Sequence, residues 1–496
     1  MRVVRLFKKV LIANRGDIAV RIIRSLRLLG ISPLTVFSEA DKQSSHVRLA
    51  DESFSLGSGS LHETYLNREK ILEAASWLEA DAIHPGYSFL SDDAKFAELV
   101  ESSGFTWIGP SPKVLKQIGG KLEAKKLAKK VGFDITAGSD KIIRDLEEAK
   151  AISSEIGYPI IVKSNFGGGG LGIRVVTKES ELDKAFEEVK RQSKFSFVQE
   201  DVFIEKYLTQ TRNIEFGFLA DQEGNTIVFP EREASIQYQN KKLFSESPST
   251  VLSDEQRQEV HELILKLVNQ IKYVSLGNIE FIYNEGKLHF SEANNHIQLE
   301  HPITEMVTGI DNITHQILVA QGQPLSISQS DIKILGHALS FRINAEDPIY
   351  NFQPSYGTIK EIEVPGGPGV RFDTNIYRGY TITSDYDTFL GQLVVFGDSR
   401  EIALKRAEYV FKEFTFVGLP NTLLFHRHLI QHPKFLENDI TTNFITESDL
   451  LTKIQEEFQA TIAALFSVRK NTSKVILPPL SKSRWRDSAR REGTGQ

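Results

Sequence analysis

Cysteine is absent from this chain of 496 residues, and methionine occurs only twice. The lack of cysteine excludes disulfides, cysteine-ligated zinc and thiol catalysis, and it fits a reducing compartment. No stretch approaches the roughly 20 consecutive apolar residues of a membrane helix. The apolar run 10–13, which follows a basic start, is too short for the core of a signal peptide. These absences predict a soluble, cytoplasmic protein with no membrane partner.

A surplus of positive charge is also missing, because the formal net charge is −6. Long-range attraction of nucleic acid is therefore not expected. The hydrophobic fraction of 40% and the charged fraction of 25% are ordinary for a soluble globular protein. A chain of this length predicts about two to four domains with ample core.

The N-terminal segment has the pattern of a strand, a helix and a second strand. The apolar run 10–13 is followed by a turn at 14–16, by a helix that ends at Gly30 and by a strand at 34–37. This order predicts a parallel sheet. The turn lacks the GxGxxG pattern, which disfavours a dinucleotide ligand.

A rigid loop closes a further predicted strand at 82–87. Ligand-binding loops gather at the carboxyl ends of parallel strands, although a purely structural turn explains this loop equally well. Ser91 and Asp92 are expected to cap the helix that follows.

Two β-rich runs flank a loop with five glycines between Lys163 and Val176. Glycines let successive backbone N–H groups converge on an anion. The loop is not a P-loop, because no Gly-Lys-Ser/Thr follows and the next element is a strand. Lys163 on the leading strand can reach a phosphate as a point charge. The alternative is a flexible hairpin tip without a ligand.

A hairpin that carries acidic residues is predicted near residue 285. The strand 279–283 is followed by a turn at 284–286 and by a return strand from Leu288. Glu280 falls opposite Glu292 to within one residue of register, and like charges that face each other about 5 Å apart repel. A divalent cation such as Mg²⁺ between them would turn this repulsion into binding. The alternative is the polar outer face of a sheet. Strand alternation extends the predicted face to Glu292, Asn294, His296, Gln298 and Glu300.

The sequence pattern of the remaining segments changes twice. Residues 119–130 and 254–273 have the periodicity of helices. Residues 335–445 combine short strands, Gly/Pro turns and a helix at 400–414, which predicts a separate α+β domain. A helix at 451–466 then precedes a basic tail that is expected to be a linker or disordered.

Taken in order along residues 5–445, several motifs resemble the biotin carboxylase family. They are IANRGDIAVRIIR, AIHPGYSFLSDDAKFAE, the glycine loop, IEKYL, QLEHPITEMVTGID, FRINAEDP and PGGPGVRFDTNIYRGY. The resemblance implies an α/β and α+β fold with three domains. These are a Rossmann-like N-terminal domain (1–118), an ATP-grasp domain (119–330) with a glycine-rich lid at about 135–207, and an α+β C-terminal domain (335–445). The segment 446–496 would add a helix and a basic tail.

The resemblance also implies a reaction. ATP, with Mg²⁺ or Mn²⁺, phosphorylates bicarbonate to carboxyphosphate, which releases CO2 onto N1′ of biotin. Biotin is attached to proteins at a lysine flanked by methionines, and this chain has only Met1 and Met306. We therefore expect biotin on a separate biotin carboxyl carrier protein rather than on this chain. Carboxyltransferase subunits of an acyl-CoA carboxylase, such as the acetyl-CoA carboxylase of fatty acid metabolism, are the further expected partners, and a homodimer is possible.

Matching positions acquire roles by the same resemblance. The ATP-binding candidates are Lys121, Lys163, Gly168, Gly169, Gly170, Glu205, Lys206, Leu208, Gln237 and Asn240. The metal candidates are Glu280, Glu292 and Asn294. The bicarbonate and biotin candidates are Lys242, Gln298, Leu299, Arg342 and Tyr87, with Glu300 as the general base; Glu300, Arg342, Lys242 and His296 form the catalytic set.

The chain departs from the family pattern around the anions. The clearest case is His296, a shorter and mostly neutral side chain that replaces an arginine fork for bicarbonate. Losing that contact would cost about 10² to 10³ in rate. Further departures are Asn240, Tyr238, Gln239, Asn213, Leu171, Gly120 and Gln392. Three hypotheses follow: a divergent biotin carboxylase, an impaired paralogue that binds ATP and has a structural or regulatory role, and an ATP-grasp ligase for another carboxylate.

Overall fold

The computed structural model describes residues 4–165, 172–197 and 200–472. Its N-terminal part is a five-stranded parallel sheet in the order β3-β2-β1-β4-β5, flanked by helices. The elements are β1 (Lys9–Ile12), α1 (Gly16–Leu28), β2 (Ser32–Ser38), α2 (Ser45–Leu49), β3 (Glu52–Gly57), α3 (Arg68–Trp77), β4 (Ala82–His84), α4 (Ala94–Ser102), β5 (Thr106–Trp107) and α5 (Pro112–Ile118). The predicted strand–helix–strand unit and its parallel sheet are confirmed.

The cap of α4 differs from the prediction. Asp93, not Ser91 or Asp92, is the N-cap residue, and its Oδ1 accepts hydrogen bonds from the backbone N–H groups of Lys95 and Phe96. Because helix start signals in a run of Ser and Asp differ by only one position, the sequence could not choose between them. The consequence is that the Asp92 side chain is available for another contact.

The lid segment forms a small layer with its own core. It follows α6 (Lys121–Val131), whose buried Ala124 and Ala128 belong to the core under the central sheet. The lid elements are α7 (Leu146–Ile156), β6 (Ile160–Ser164), β7 (Ile173–Val176), α8 (Leu182–Phe197) and β8 (Val202–Lys206). The antiparallel sheet β7-β6-β8 packs against α7 and α8 through buried Ile160, Val162 and Phe186. The glycines at 167–170 and Leu171 lie outside the described residues.

The central layer is an antiparallel sheet in the order β14-β13-β9-β11-β12-β15-β22-β20, with β10 beside β9. Its first elements are β9 (Arg212–Ala220), β10 (Thr226–Val228), β11 (Arg232–Tyr238), β12 (Lys241–Ser247), α9 (Asp254–Ile271), β13 (Ser275–Asn284), β14 (Lys287–Asn294), α10 (His301–Thr308) and α11 (Asn312–Ala320). The helix α9 covers one face of this sheet with buried Val260, Ile264 and Leu267.

The acidic hairpin is β13–β14, and Glu280 pairs with Glu292, which confirms the predicted opposition; a β-bulge between Glu280 and Phe281 settles the one residue of register that the sequence leaves open. Its two-residue turn uses Glu285 and Gly286 at φ 48° and 81°, which suits a type I′ hairpin. The alternation predicted beyond Asn294 is wrong, because β14 ends there and the chain turns through 298–300 into α10. Only Glu292 and Asn294 of the predicted face are therefore strand residues.

The C-terminal strands extend the central sheet, since β15 pairs with β12. The elements are β15 (His337–Asn344), β16 (Glu346–Asp347), β17 (Gln353–Pro354), β18 (Gly357–Thr358), β19 (Glu361–Glu363), β20 (Val370–Thr374), β21 (Thr381–Ile382), β22 (Phe389–Gly397), α12 (Arg400–Glu413), β23 (Thr415–Val417), α13 (Leu423–Leu429), α14 (Pro433–Leu436), α15 (Phe444–Glu447) and α16 (Leu450–Thr472). Short 3-10 turns lie at Glu39–Asp41, Leu61–Glu63, Glu179–Glu181, Gln329–Asp331 and Pro348–Tyr350. A shared apolar core joins Phe244 of β12 to Phe341 and Phe411.

The last helix, α16, runs six residues beyond the predicted end at 466, and the tail 473–496 lies outside the described residues. Within 4–165, 172–197 and 200–472, no helix combines the length and the apolar character needed to cross a bilayer.

Candidate active site

The candidate site, called the cleft below, contains Lys242 of β12, a largely buried lysine whose side chain is 15% exposed. The Lys242 ammonium of β12 donates to Glu215 Oε2 at 2.9 Å and to Glu280 Oε1 at 2.8 Å. Burial disfavours the charged lysine, but Glu215, Glu280 and Glu300 outweigh that cost and raise its pKa well above the usual range. Lys242 is therefore a fixed positive charge that is held between two carboxylates.

The Glu280–Glu292 pair lies beside this lysine. Burial and the neighbouring carboxylates Glu292 and Glu215 raise the pKa of Glu280, although Lys242 opposes this. Burial also acts against the charge on Glu292, but Lys121, whose Nζ lies 2.5 Å from Glu292 Oε2, lowers the pKa of that carboxyl. The two carboxylates thus compete for a limited positive charge.

These carboxylates fit a hard divalent cation. Asn294 donates to Glu280 Oε1 at 3.0 Å, which brings all three predicted ligands together. No group of three or more His, Cys, Asp or Glu side chains suited to a metal occurs in the part of the chain that the structure describes. Two carboxylates and an amide are typical of Mg²⁺, which keeps waters and substrate phosphates as its other ligands.

A second ionic cluster lies at the base of the lid and has the opposite charge balance. Glu205 of β8 accepts hydrogen bonds from Lys163, at 2.7 Å, and from Lys125. Burial opposes its ionisation, but the two lysines lower the pKa of Glu205 to about 2. Burial and the like charge of Lys163 lower the pKa of Lys125 despite the Glu205 contact. Two ammonium groups thus share one carboxylate at this end of the cleft.

The other ATP-binding candidates take several positions. Lys206 donates to the carbonyls of Gly157 and Tyr158, both at 3.0 Å, and Leu208 lies half-buried just beyond β8. The Gln237 amide donates to Ala234 O at 2.8 Å, and Asn240 lies exposed in the two-residue turn between β11 and β12. The lid glycines Gly168, Gly169 and Gly170 lie outside the described residues.

The proposed base stands at the start of a helix. Glu300 is the N-cap residue of α10 and is buried with 3% exposure. Gln298 and Leu299 form the half-buried turn before it, and the Gln298 carbonyl accepts the backbone N–H of His301. Unpaired N–H groups at a helix N-terminus favour a negative charge there. Glu300 thus lies at the positive end of the α10 dipole.

His296 contacts a residue of the preceding domain. Its Nδ1 lies 2.9 Å from Oδ1 of Asp92, which the cap of α4 leaves available. Burial lowers the pKa of His296, but Asp92, Glu292 and Glu280 outweigh it, so the net shift is upward. A larger fraction of the His296 imidazole is therefore protonated than was expected from the sequence.

The two biotin-side candidates are held by partners. Arg342 of β15 lies 3.6 Å from Asp387, and its guanidinium faces the Phe389 ring at 5.1 Å. The Tyr87 hydroxyl donates to both carboxylate oxygens of Asp17, at 2.9 and 3.0 Å. Burial, with the nearby charge of Asp373, raises the pKa of Asp17 to about 7 despite the Tyr87 hydrogen bond.

Sequence reasoning missed the residues behind Lys242. Glu215 is fully buried, and although burial opposes its charge, Lys242 and Arg232 lower its pKa to about 2. Arg232 and Asn278 complete its hydrogen bonds. A signal was available for Glu215, because a glutamate between Ile214 and Phe216 interrupts an apolar strand.

Three family profiles match the chain. They are the biotin carboxylase N-terminal domain at residues 6–115, the carbamoyl-phosphate synthase L chain ATP-binding domain at 120–328, and the biotin carboxylase C-terminal domain at 340–447.

Individual relatives and solved structures agree with these profiles. Biotin carboxylase 1 of Bacillus subtilis is 43% identical, over 90% of this chain and 100% of its own length. The 2-oxoglutarate carboxylase small subunit of Hydrogenobacter thermophilus is 40% identical, over 93% and 99%. The biotin carboxylase domain dimer of the same H. thermophilus enzyme, solved with MgADP, ADP and bicarbonate, superposes with a TM-score of 0.89 at 40% identity, over 90% of this chain and 99% of that one.

Proposed function

The chain belongs to the biotin carboxylase family, and from this premise we propose that it carboxylates biotin with ATP and bicarbonate. The observation that carries the proposal is the placement of Lys242 between Glu215 and Glu280, with the charge of Glu300 also acting on it. A fixed cation beside a candidate base suits a small anion that must lose a proton.

Within this proposal, the residues of the two ionic clusters have separate roles in binding and catalysis. Lys163 and Lys121 hold the phosphates of ATP, since phosphoryl transfer depends on positioning and on positive charge. Mg²⁺, held by Glu280, Glu292 and Asn294, would neutralise phosphate charge. Glu300 accepts the proton of bicarbonate, and Lys242 keeps the anion beside it.

The biotin end is assigned to Tyr87 and Arg342. Arg342 would stabilise negative charge on the ureido oxygen of biotin, because a guanidinium is permanently charged and donates in a fork. Tyr87 is fixed in orientation by its two contacts to Asp17. We propose that biotin arrives on a separate carrier protein.

We propose that the chain works within a larger carboxylase, together with a carrier protein and carboxyltransferase subunits. The names of two relatives, a pyruvate carboxylase subunit of Methanothermobacter thermautotrophicus and the 2-oxoglutarate carboxylase small subunit, support such a role. They also add 2-oxo acids to acyl-CoA thioesters as acceptor classes. A homodimer is consistent with the dimer of the H. thermophilus domain.

The test is phosphate release from ATP with bicarbonate, with and without free biotin. We expect release that requires bicarbonate, that biotin stimulates, and that Lys242→Gln lowers by about 10². Arg400→Lys, which alters an arginine on the buried Glu246 away from the candidate site, serves as the control. Phosphate release that does not depend on bicarbonate would contradict the proposal.

One observation favours a second function, an ATP-binding paralogue with a structural or regulatory role. His296 replaces the arginine fork expected at the anion site and is occupied with Asp92. In that case nucleotide with Mg²⁺ raises the Tm but no phosphate is released. Turnover with a different carboxylate would instead indicate an ATP-grasp ligase for another acid.

A further inference from the structure

Arg232 is a buried arginine that joins three elements behind the candidate site. Its Nε donates to Glu215 Oε1 at 3.1 Å, its Nη2 to Asn278 Oδ1 at 2.7 Å, and its Nη1 to Thr304 Oγ1 at 2.8 Å. The residue is 2% exposed. These contacts spread the guanidinium over β9, β13 and α10, and only a planar fork can reach all three at once.

One arm of this fork leads to the carboxylate–lysine centre. Glu215, which Arg232 holds in place, accepts a hydrogen bond from Lys242, and Lys242 also donates to Glu280. Asn278 donates to Glu215 Oε2 at 3.2 Å, so both oxygens of that carboxylate are held. The positions of Lys242 and Glu280 therefore depend on Arg232 without touching it.

The Nη1 group of Arg232 is connected to the candidate base through Thr304. Thr304 is fully buried and lies one helical turn after Glu300, the N-cap residue of α10. A hydrogen bond from the sheet to Thr304 sets how far the start of this short helix lies from Lys242.

We infer that Arg232 is a positioning residue that fixes the first turn of α10, and with it Glu300, against the Lys242–Glu280 pair. The inference rests on the proposed function, because it assigns Arg232 to the geometry of proton transfer from bicarbonate. Arg232 would not touch ATP or bicarbonate. Its loss should therefore lower the rate of the chemical step and leave nucleotide binding nearly unchanged.

Thr304→Val removes only the helix arm and is the primary test. We expect the kcat of bicarbonate-dependent phosphate release to fall about tenfold, since displacements of about 1 Å cost up to 10² in rate. The KM for ATP should stay within about twofold, since uniform binding is untouched. Thr308→Val is the matched control, because the Thr308 hydroxyl donates to Thr304 O and does not contact Arg232.

Arg232→Lys keeps the charge and loses the fork, so we expect a larger fall in kcat, of about 30-fold. Arg400→Lys is its control and should leave kcat within about twofold. The inference is overturned if Thr304→Val and Thr308→Val have the same kcat, or if the KM for ATP rises as much as kcat falls.

A crystal structure of the Thr304→Val variant separates this inference from the proposed function. We expect the distance from Lys242 Nζ to the Glu300 carboxylate to change relative to the parent protein. If the parent shows no bicarbonate-dependent turnover, the proposed function fails while this distance still decides the inference. An unchanged distance overturns it.

Discussion

The two ionic clusters of the cleft differ in the sign of their imbalance. Around Lys242 and Lys121, four carboxylates (Glu215, Glu280, Glu292 and Glu300) meet three cations, because Arg232 also pairs with Glu215. Around Glu205, Lys125 and Lys163 share a single carboxylate. A site with excess negative charge takes a cation, and one with excess positive charge takes an anion. The two clusters thus suit the two parts of a metal–nucleotide, with the cation at the first and phosphate at the second.

The largest expected effect comes from weakening the negative end. Glu292→Gln removes one of the two carboxylates that face each other across β13 and β14. We expect turnover to fall by about 10² and the Mg²⁺ concentration for half-activity to rise, because the amide is a neutral ligand. Steady-state rates across a Mg²⁺ titration check this.

Glu285→Gln, at the exposed turn of the same hairpin, is the control and should behave as the parent protein. An unchanged Mg²⁺ requirement in the Glu292 variant would contradict the assignment of the metal to Glu292.

At the positive end, Lys163→Gln should act on the nucleotide. We expect the Kd for ATP to rise about 10- to 50-fold with little change in the Mg²⁺ requirement, since the lysine contributes a point charge to phosphate. Isothermal titration calorimetry measures both.

Lys150→Gln, which lies on α7 of the same layer and pairs with Glu147 on the surface, should change neither quantity. Equal losses of Mg²⁺ and ATP affinity at both ends would show that the clusters do not act separately.

A smaller change is expected from His296→Arg, which restores a charged fork beside the negative end. If the anion contact alone limits the rate, the KM for bicarbonate should fall about 3- to 30-fold. Measured bicarbonate saturation curves check this, with the exposed His62→Arg as control. No gain would mean that the departures are not a single-site loss.

The smallest effect concerns pH and lies outside both clusters, at Asp17. Its pKa of about 7 in the folded protein exceeds the value of 3.8 for a free side chain, so the folded state holds a proton that the unfolded state has lost. Stability from this group is present below pH 4 and is lost as the pH rises to about 7. Asp17→Asn should therefore raise the free energy of unfolding at pH 8 by on the order of 1 kcal/mol, less for its partial exposure.

Denaturant unfolding at pH 4 and pH 8 measures this difference, with the exposed Asp398→Asn as control. A stability difference that is the same at both values of pH would contradict the raised pKa.

Short-range patterns were sufficient for several parts of this protein. The apolar spacing of α1, the stop at Gly30 and the following strand predicted the parallel unit correctly, because those signals are local. The opposition of Glu280 and Glu292 followed from the sequence only to within one residue. The turn register alone would pair Glu280 with Ser291, and a β-bulge between Glu280 and Phe281 moves the partner to Glu292. The roles of individual residues came from resemblance and stay predictions.

Contacts between distant segments could not be predicted. The predicted alternation extends past Asn294, although the chain leaves the sheet there, because nothing in a local pattern marks where pairing stops. The Asp92–His296 contact joins residues 204 positions apart, and the N-cap of α4 lies one residue beyond the predicted pair. Glu215 gained its importance only through its partners Lys242 and Arg232.

By itself, the sequence determined the succession of strands and helices, the family and, to within one residue, the opposition of two carboxylates, since each depends on neighbours along the chain. Only the tertiary structure decided which charges share a partner. The strands of one sheet bring Glu215, Lys242 and Glu280 within hydrogen-bond reach, and α10, whose N-cap residue is Glu300, contacts the same sheet through Arg232 and Thr304. Burial then increases the free-energy cost of the charge imbalance. Each buried charge without an opposite charge costs free energy that a bound ion can recover.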